Sequence, residues 1–391
     1  MIQRIIQTVT EGPETADFII IGGGIAGASA AYELCKTGRV IILEKESHPA
    51  YHTTGRSAAI FQKGYSNGDP VIHALVMASE DFLRHPPKDF AAHPLLTPRV
   101  LIYIASKNHP EALENLYHNL SAIDVGIEQI DTSQTAGIFP CLTPEYQNSA
   151  ILEKDVADMD VTALHEGYLR AVKEQGGQIL TNAGVEKLTR KGEYWHVRTN
   201  TQEFRAPVVI NAAGAWVDRV AEMADITPIN IRPLRRTVVL VPPPAEIGPD
   251  IDGLPFVMDA GQGFYFKPDA GKILVTPGDQ HLSPPCDAQP EEMDIARAVH
   301  YLEKATGLKI RKVDHSWAGL RNHVADGHPV VGFDPESDGF FWLAAQGGFG
   351  IKTAPAMGRI TASLITEGTL PQDIRDLGLT EDRISIRRLK K

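Results

Sequence analysis

Gly22, Gly24 and Gly27 stand in the spacing GxGxxG, directly after the apolar run Phe18-Ile19-Ile20-Ile21 and before a stretch of small residues. In a strand–turn–helix setting this spacing binds a pyrophosphate. The first glycine permits the sharp turn, the second lets phosphate approach the backbone, and the third lets helix and strand pack closely. Free amides at the helix start and the positive end of the helix dipole favour the anion. Glu44 closes the next apolar run, about twenty residues on, where a carboxylate accepts hydrogen bonds from a ribose. Glycine turns also arise for steric reasons alone. Here the strand, the small-residue helix and the terminal acid agree on a dinucleotide, and leave NAD and FAD both open.

A related pattern recurs near the C-terminus. Phe340 to Ala345 reads as an apolar strand running into Gln346-Gly347-Gly348-Phe349-Gly350-Ile351-Lys352. The helix behind it starts near Thr353, because Pro355 is tolerated only in a first turn. A helix start beside a lysine suits the stabilisation of negative charge. NAD needs no such arrangement so far from the first turn, whereas a flavin gains charge on reduction. A third strand-to-glycine turn, Val208 to Ile210 followed by Asn211-Ala212-Ala213-Gly214, precedes a helix over 215–224 and approaches the same cofactor. The run Thr53-Thr54-Gly55-Arg56-Ser57-Ala58-Ala59-Ile60 is small and hydrogen-bonding, suited to a loop beside a flat ring.

The elements between these turns supply a second layer. Asp69 is placed to cap a helix from Pro70, Asp160 one from Val161, and Pro86-Pro87 and Gly176-Gly177 end them. Strands are expected over 95–104, 235–240, 256–258, 263–267 and 272–276, with a helix over 290–306 behind them. Period-two alternation puts Arg235 and Arg236 on opposite faces, so one of the two enters a given cleft.

The chain has 391 residues and a net charge of −11, which suggests two domains and argues against nucleic acid as a partner. No segment is apolar enough to span a bilayer, and MIQRIIQTVTEGPET has no signal-peptide core, so a cytoplasmic protein is expected. Cys35, Cys141 and Cys286 are too few and too scattered for a disulfide framework or zinc. His48 and His52 lie four apart, but Pro49 between them and the lack of a third ligand leave no metal site.

The stretches IGGGIAGASAA, YHTTGRSAA, HPLLTPR, LRRT, FYFKPDAG, WAGLR, ADG and AAQGGFGIKT follow one another along nearly the whole chain. In these the sequence resembles the glycine/D-amino-acid oxidase family of FAD enzymes, and within it the bacterial D-arginine dehydrogenases. The resemblance implies an α/β fold: a discontinuous Rossmann-like FAD-binding domain (15–66, 154–222 and 314–381) and an α+β substrate domain with a mostly antiparallel sheet (67–153 and 223–313). Residues 1–14 and 382–391 are then tails. FAD would be noncovalent, with Ala26, Glu44 and Lys45 toward the adenosine and pyrophosphate. Thr53 to Ile60 would lie along the pyrophosphate and ring, the Val185 backbone at the adenine, and Gly347 to Lys352 at the pyrimidine edge.

The same resemblance places Arg236 and Arg321 on a substrate carboxylate, Tyr65 and Tyr265 beside the substrate, and the Gly348 carbonyl at its amino group. Two positions depart from the D-arginine pattern: Leu101 replaces a glutamate and Ile60 a histidine. A buried guanidinium without a partner carboxylate suffers a desolvation cost of several kcal/mol. Leu101, Ile60, Phe256 and Met258 are therefore expected to favour apolar side chains. The implied reaction is oxidation of a D-amino acid, with Lys352 stabilising the negative charge that develops on the flavin. The final electron acceptor, a quinone, another carrier or oxygen, is left open. An N-methyl amino acid or 2-hydroxy acid oxidase, and a flavin-binding protein with a decayed pocket, are the competing readings.

Overall fold

A computed structural model describes residues 13–123, 125–247 and 251–390. Most of the expected N-terminal tail, residues 1–12, lies outside the described residues. The strand Phe18–Ile21 sits inside a six-stranded sheet, between Val208–Asn211 and Val40–Leu43. Gln178–Leu180 and Phe340–Ala344 continue it in parallel on either side, and Val330–Phe333 closes one edge antiparallel. The all-apolar character of Phe18–Ile21 follows from this position. Ile19 and Ile21 pack with Trp195, Val197 and Phe204, while Phe18 and Ile20 pack with Ala30, Leu34 and Met357. Both faces are covered, so alternation with polar residues would bury unsatisfied groups. Each fully buried isoleucine contributes about 1.5–3 kcal/mol.

The helix Ile25–Leu34 covers one face together with Val161–Glu174 and Ala354–Thr366. The other face meets a four-stranded sheet ordered Glu14–Thr15, Glu203–Ala206, Tyr194–Thr199 and Val185–Lys191. Gly22 makes the turn between strand and helix at φ +108, a backbone region closed to most side chains, and a β-carbon there would lie 2.5 Å from the Ala212 oxygen.

The third sheet has ten strands, and every pairing in it is antiparallel except that of Phe256–Asp259 with Leu96–Ile104. It contains Arg232–Val241, Tyr265–Asp269, Lys272–Thr276 and His315–His323, the last paired along Arg232–Val241 with Leu234 opposite Arg321. Helix Glu292–Thr306 covers its back through Ala298, Leu302 and Ala305. The two arginines separate as period-two alternation requires. Arg235 turns to Glu291 and to Asp294 (3.1 Å), whereas Arg236 turns inward. Among the described residues no helix is long and apolar enough to cross a membrane.

Local signals hold at helix starts: the Asp69 carboxylate accepts the Val71 and Ile72 amides (2.9 and 3.0 Å), and Asp160 accepts that of Ala163 (2.8 Å). Two differ. The helix expected over 215–224 opens as a 3₁₀ turn, Gly214–Trp216, before Val217–Met223. Directly after Tyr65, Ser66 and Asn67 are left-handed (φ 58 and 56), a conformation their sequence does not announce.

Candidate active site

One end of the site is built by the first glycine turn and the strand beside it. The Glu44 carboxylate accepts the Gly23 amide at 2.9 Å through one oxygen and the Glu46 amide at 2.8 Å through the other. It is thereby fixed in place, with lone pairs left over for a ribose. Thr54 reaches across to accept the Ile25 amide (3.0 Å), so one helix-start donor expected to be free is already engaged. The Thr53 hydroxyl donates to the Leu320 carbonyl (2.8 Å). Arg56 is used up in joining segments: it donates to the Ala288 and Ala318 carbonyls (2.8 and 3.0 Å) and pairs with Asp287. Lys45 lies 3.5 Å from the Trp216 ring centroid, and His52 bonds Glu46 at 2.8 Å rather than joining His48 in a ligand set.

A continuous cavity of about 630 Å³ runs from Glu44, Lys45 and Val185 to Arg321 and Tyr265. Gly22, Gly24, Ala26, Thr53, Thr54, Arg56, Ser57, Ala58, Ala59 and Gly214 line it, as do Gly347, Gly348, Phe349, Gly350, Ile351 and Lys352. Gly27 and Gly55 stand behind this wall, packed against the backbone of Gly22 and Ala50. Three glycine turns remote in sequence thus open on one space.

The other end carries the charge. Arg236 is held by its Nε donating to the Asp279 carbonyl (2.7 Å), while the Asp279 carboxylate accepts the Thr237 amide and hydroxyl. Burial, reinforced by Arg321, lowers its pKa to about 10. Arg321 lies on the neighbouring strand, beside Tyr65, Tyr265 and the backbone of Gly348. Lys352, 2% exposed, sits with its Nζ 3.8 Å from the Tyr65 ring centroid, and burial followed by Arg321 lowers its pKa to about 7. Two guanidiniums and the Lys352 amine converge here, and of the described residues lining the cavity Glu44, at the far end, is the one acid.

Ile60, Phe256 and Met258 line the apolar part as expected, but Leu101 does not. It is fully buried in the cluster formed by Ile60, Tyr103 and Phe256, and those three supply the wall instead. Leu101 pairs in register with Phe256, whose larger ring takes the position facing the space. Tyr103, on the same strand face two residues on, does reach the cavity.

Several lining residues escaped the sequence reading. Gln62 donates to the Tyr103 hydroxyl (2.5 Å), which donates to Glu153 (2.8 Å). Glu153 is 0% exposed, also accepts the Gly64 amide (3.3 Å), and is pushed up to about 7 by burial. In sequence Glu153 opens the charged stretch Glu153-Lys154-Asp155, so nothing there marks it as buried. His323 lines the cavity two residues after Arg321, on the same strand face. Burial, then Arg321, Arg236 and Arg232, holds its pKa down to about 4, so the ring is neutral.

A dinucleotide turn, a long cleft and a cluster of basic side chains at its other end suit a redox enzyme that holds a nucleotide cofactor. The chain belongs to the DAO family of FAD-dependent oxidoreductases, whose model matches residues 17–364. It is 25% identical to FAD-dependent oxidoreductase domain-containing protein 1 of Mus musculus, over 91% of this chain and 82% of that one. It is 24% identical to glycine oxidase of Geobacillus kaustophilus, over 93% and 96% of the two chains. The structure of L-proline dehydrogenase from P. horikoshii superposes with a TM-score of 0.79 at 22% identity, covering 91% and 95%. FAD fits the donor set: an anchored carboxylate at one end, glycine backbone along the middle, and Arg236, Arg321 and Lys352 where a flavin ring and a carboxylate would bring negative charge.

Proposed function

We propose that the protein oxidises a D-amino acid with a neutral, mainly apolar side chain to the 2-oxo acid and ammonia. The observation that carries this reading is the convergence of Arg236 and Arg321 with Tyr65, Tyr265 and Gly348 at one end of the cavity, against the wall of Ile60, Phe256 and Met258. Two guanidiniums in a partly dry site bind a carboxylate through charge-assisted hydrogen bonds. An apolar wall beside them accommodates an apolar side chain, and among the described residues no acid on that wall pairs with a cationic one. The D configuration is read from the likeness to the D-arginine dehydrogenases in WAGLR, LRRT and AAQGGFGIKT.

Glu44, Lys45, Val185, the 53–60 run and the 347–352 turn would hold FAD, which when bound supplies the acceptor for the α-hydrogen as hydride. The protein's own contribution is orientation and electrostatics. The arginines fix the carboxylate, the Gly348 carbonyl accepts from the amino group, and Tyr65 and Tyr265 flank the substrate. Lys352, at the start of helix Ala354–Thr366, stabilises developing negative charge. In this reading residues 15–66, 154–222 and 314–381 form the FAD-binding domain, which also brings Tyr65, Arg321 and Gly348 to the substrate, and 67–153 and 223–313 form the substrate domain.

The test is anaerobic. The purified protein is expected to be yellow and to bleach with D-amino acids, and not with N-methyl amino acids or 2-hydroxy acids. A colourless protein, or bleaching by the other panels alone, overturns the reading. Admitting air then separates an oxidase from a dehydrogenase that passes electrons to a quinone or another carrier.

A further inference from the structure

We propose that the Lys352 amine takes the proton that the substrate's ammonium group loses in the cavity, and that Glu153 sets how firmly Lys352 holds it. The proposal rests on the amino acid substrate inferred above. An amino acid in neutral water is an ammonium ion. Its α-hydrogen cannot leave as hydride until the nitrogen lone pair is free to form the C=N bond. A proton must therefore go first, and the two arginines that bind the carboxylate repel it.

The cavity offers few places for that proton. Arginine is always charged and cannot accept it. His323 lines the cavity, but its pKa of about 4, set by burial and then by Arg321, Arg236 and Arg232, leaves it unable to hold a proton near neutrality. Glu153 lies behind the wall, its carboxylate already accepting from Tyr103 and Gly64. Lys352 lines the cavity and is almost wholly buried, and among the described residues its Nζ makes no hydrogen bond or ion pair to a protein group. A buried ammonium in that setting is costly and a neutral amine is not.

The groups that face Lys352 come from three elements. Arg321, on strand His315–His323, lowers its proton affinity, as burial does; Glu153, on strand Ala150–Met159, raises it; the Tyr65 ring lies at 3.8 Å. These place its pKa at about 7, where an amine gains and loses a proton under working conditions. In the step itself a substrate N–H bond breaks and an Nζ–H bond forms, with no electrons exchanged and no further reactant. Lys352 is then cationic where the cavity next receives negative charge.

Two measurements test this. Calorimetric titration of the FAD-loaded protein with 2-aminoisobutyrate, which has an ammonium and a carboxylate but no α-hydrogen, in buffers of different ionisation heat at about pH 9 counts protons released. The native protein is expected to release almost none, and Lys352→Arg about one per site, since arginine cannot accept it. Equal release by the two, or release of a full proton by the native protein, overturns the proposal. The second measurement is the pH dependence of anaerobic bleaching by the preferred amino acid. The native limb should rise near pH 7, Lys352→Arg should move it up by at least about one unit, and Glu153→Gln should move it down. A limb shared by native protein and Lys352→Arg overturns the proposal while leaving the amino acid reading intact. Failure of every amino acid to bleach the native protein overturns both.

Discussion

The Tyr65 hydroxyl occupies the space that a β-carbon on Gly348 would need, and the Arg321 Cζ would lie 3.0 Å from the same carbon. Glycine at 348 is thus the condition for a tyrosine and an arginine from distant segments to meet against one backbone α-carbon. Gly348→Ala must displace Tyr65 or Arg321. The expected result is a rise in KM of about 10–100-fold, equivalent to one disturbed charge-assisted contact, with little change in thermal stability. Unchanged steady-state kinetics would show that neither side chain touches the substrate.

Removing a carboxylate anchor should be more direct. Arg321→Met keeps the length of the side chain and deletes the charge. Because hydrogen bonds to charged groups contribute about 1.5–3 kcal/mol, affinity for substrate should drop by roughly 10–150-fold. Binding of the product 2-oxo acid, followed by quenching or spectral change of the flavin, should weaken by a similar factor, since the carboxylate is common to both. Loss of turnover with product affinity intact would place Arg321 elsewhere in the reaction.

Much of this arrangement was legible in the sequence, and the reasons are local. Gly22, Gly24 and Glu44 announce themselves because turn chemistry and strand polarity are short-range. The separation of Arg235 from Arg236 followed from period-two geometry alone. Leu101 failed because Ile60, Tyr103 and Phe256, brought together from three strands, cover it, which no periodicity reveals. Glu153, Tyr103 and Gln62 failed for a similar reason: their chain of hydrogen bonds joins positions far apart in sequence. Arg56, read from its loop as lying beside the cofactor, lines the cavity and also ties that loop to Ala288 and Ala318. Residue type gave the charge there, but tertiary contacts decided its use.

The absence of an acid on the substrate end of the described cavity wall predicts side-chain preference. D-leucine, D-methionine and D-phenylalanine should show kcat/KM values well above those of D-arginine and D-lysine. Met258→Glu introduces a carboxylate into this wall, and should raise the relative kcat/KM for D-lysine by about tenfold or more, the value of about 1.4 kcal/mol of pairing. Native preference for D-arginine over D-leucine would mean that a group outside this wall receives the cation.

Asp69 tests the scaffold apart from the site. Its carboxylate caps helix Pro70–Arg84 and also bonds His328 Nε2 at 3.0 Å. Asp69→Ala should reduce unfolding stability by about 0.5–2 kcal/mol, measured by urea denaturation, with the flavin spectrum unchanged. Loss of bound flavin in this variant would show that the cap also shapes the cavity.

His323 gives the acid side of the stability curve a predictable slope. Its folded-state pKa is about 4, below the ordinary value of 6.5, because burial and then Arg321, Arg236 and Arg232 disfavour the imidazolium. As pH falls from 6.5 to 4 the unfolded chain binds a proton at this position that the folded chain does not. Folding is therefore destabilised through that window, and the contribution is fully restored above it. The size is about 2–3 kcal/mol as an order of magnitude. His165, buried and bonded to the Gly23 carbonyl at 2.8 Å, is shifted the same way by its burial, so one substitution should reduce the slope without abolishing it. In the flavin-free protein, His323→Phe should lose less stability than the native chain between pH 6.5 and 4, as read by urea unfolding at each pH. Parallel curves for the two proteins would mean that the ring takes up its proton in the folded protein as readily as in the unfolded chain, which would move His323 back among the possible acceptors of the substrate's proton.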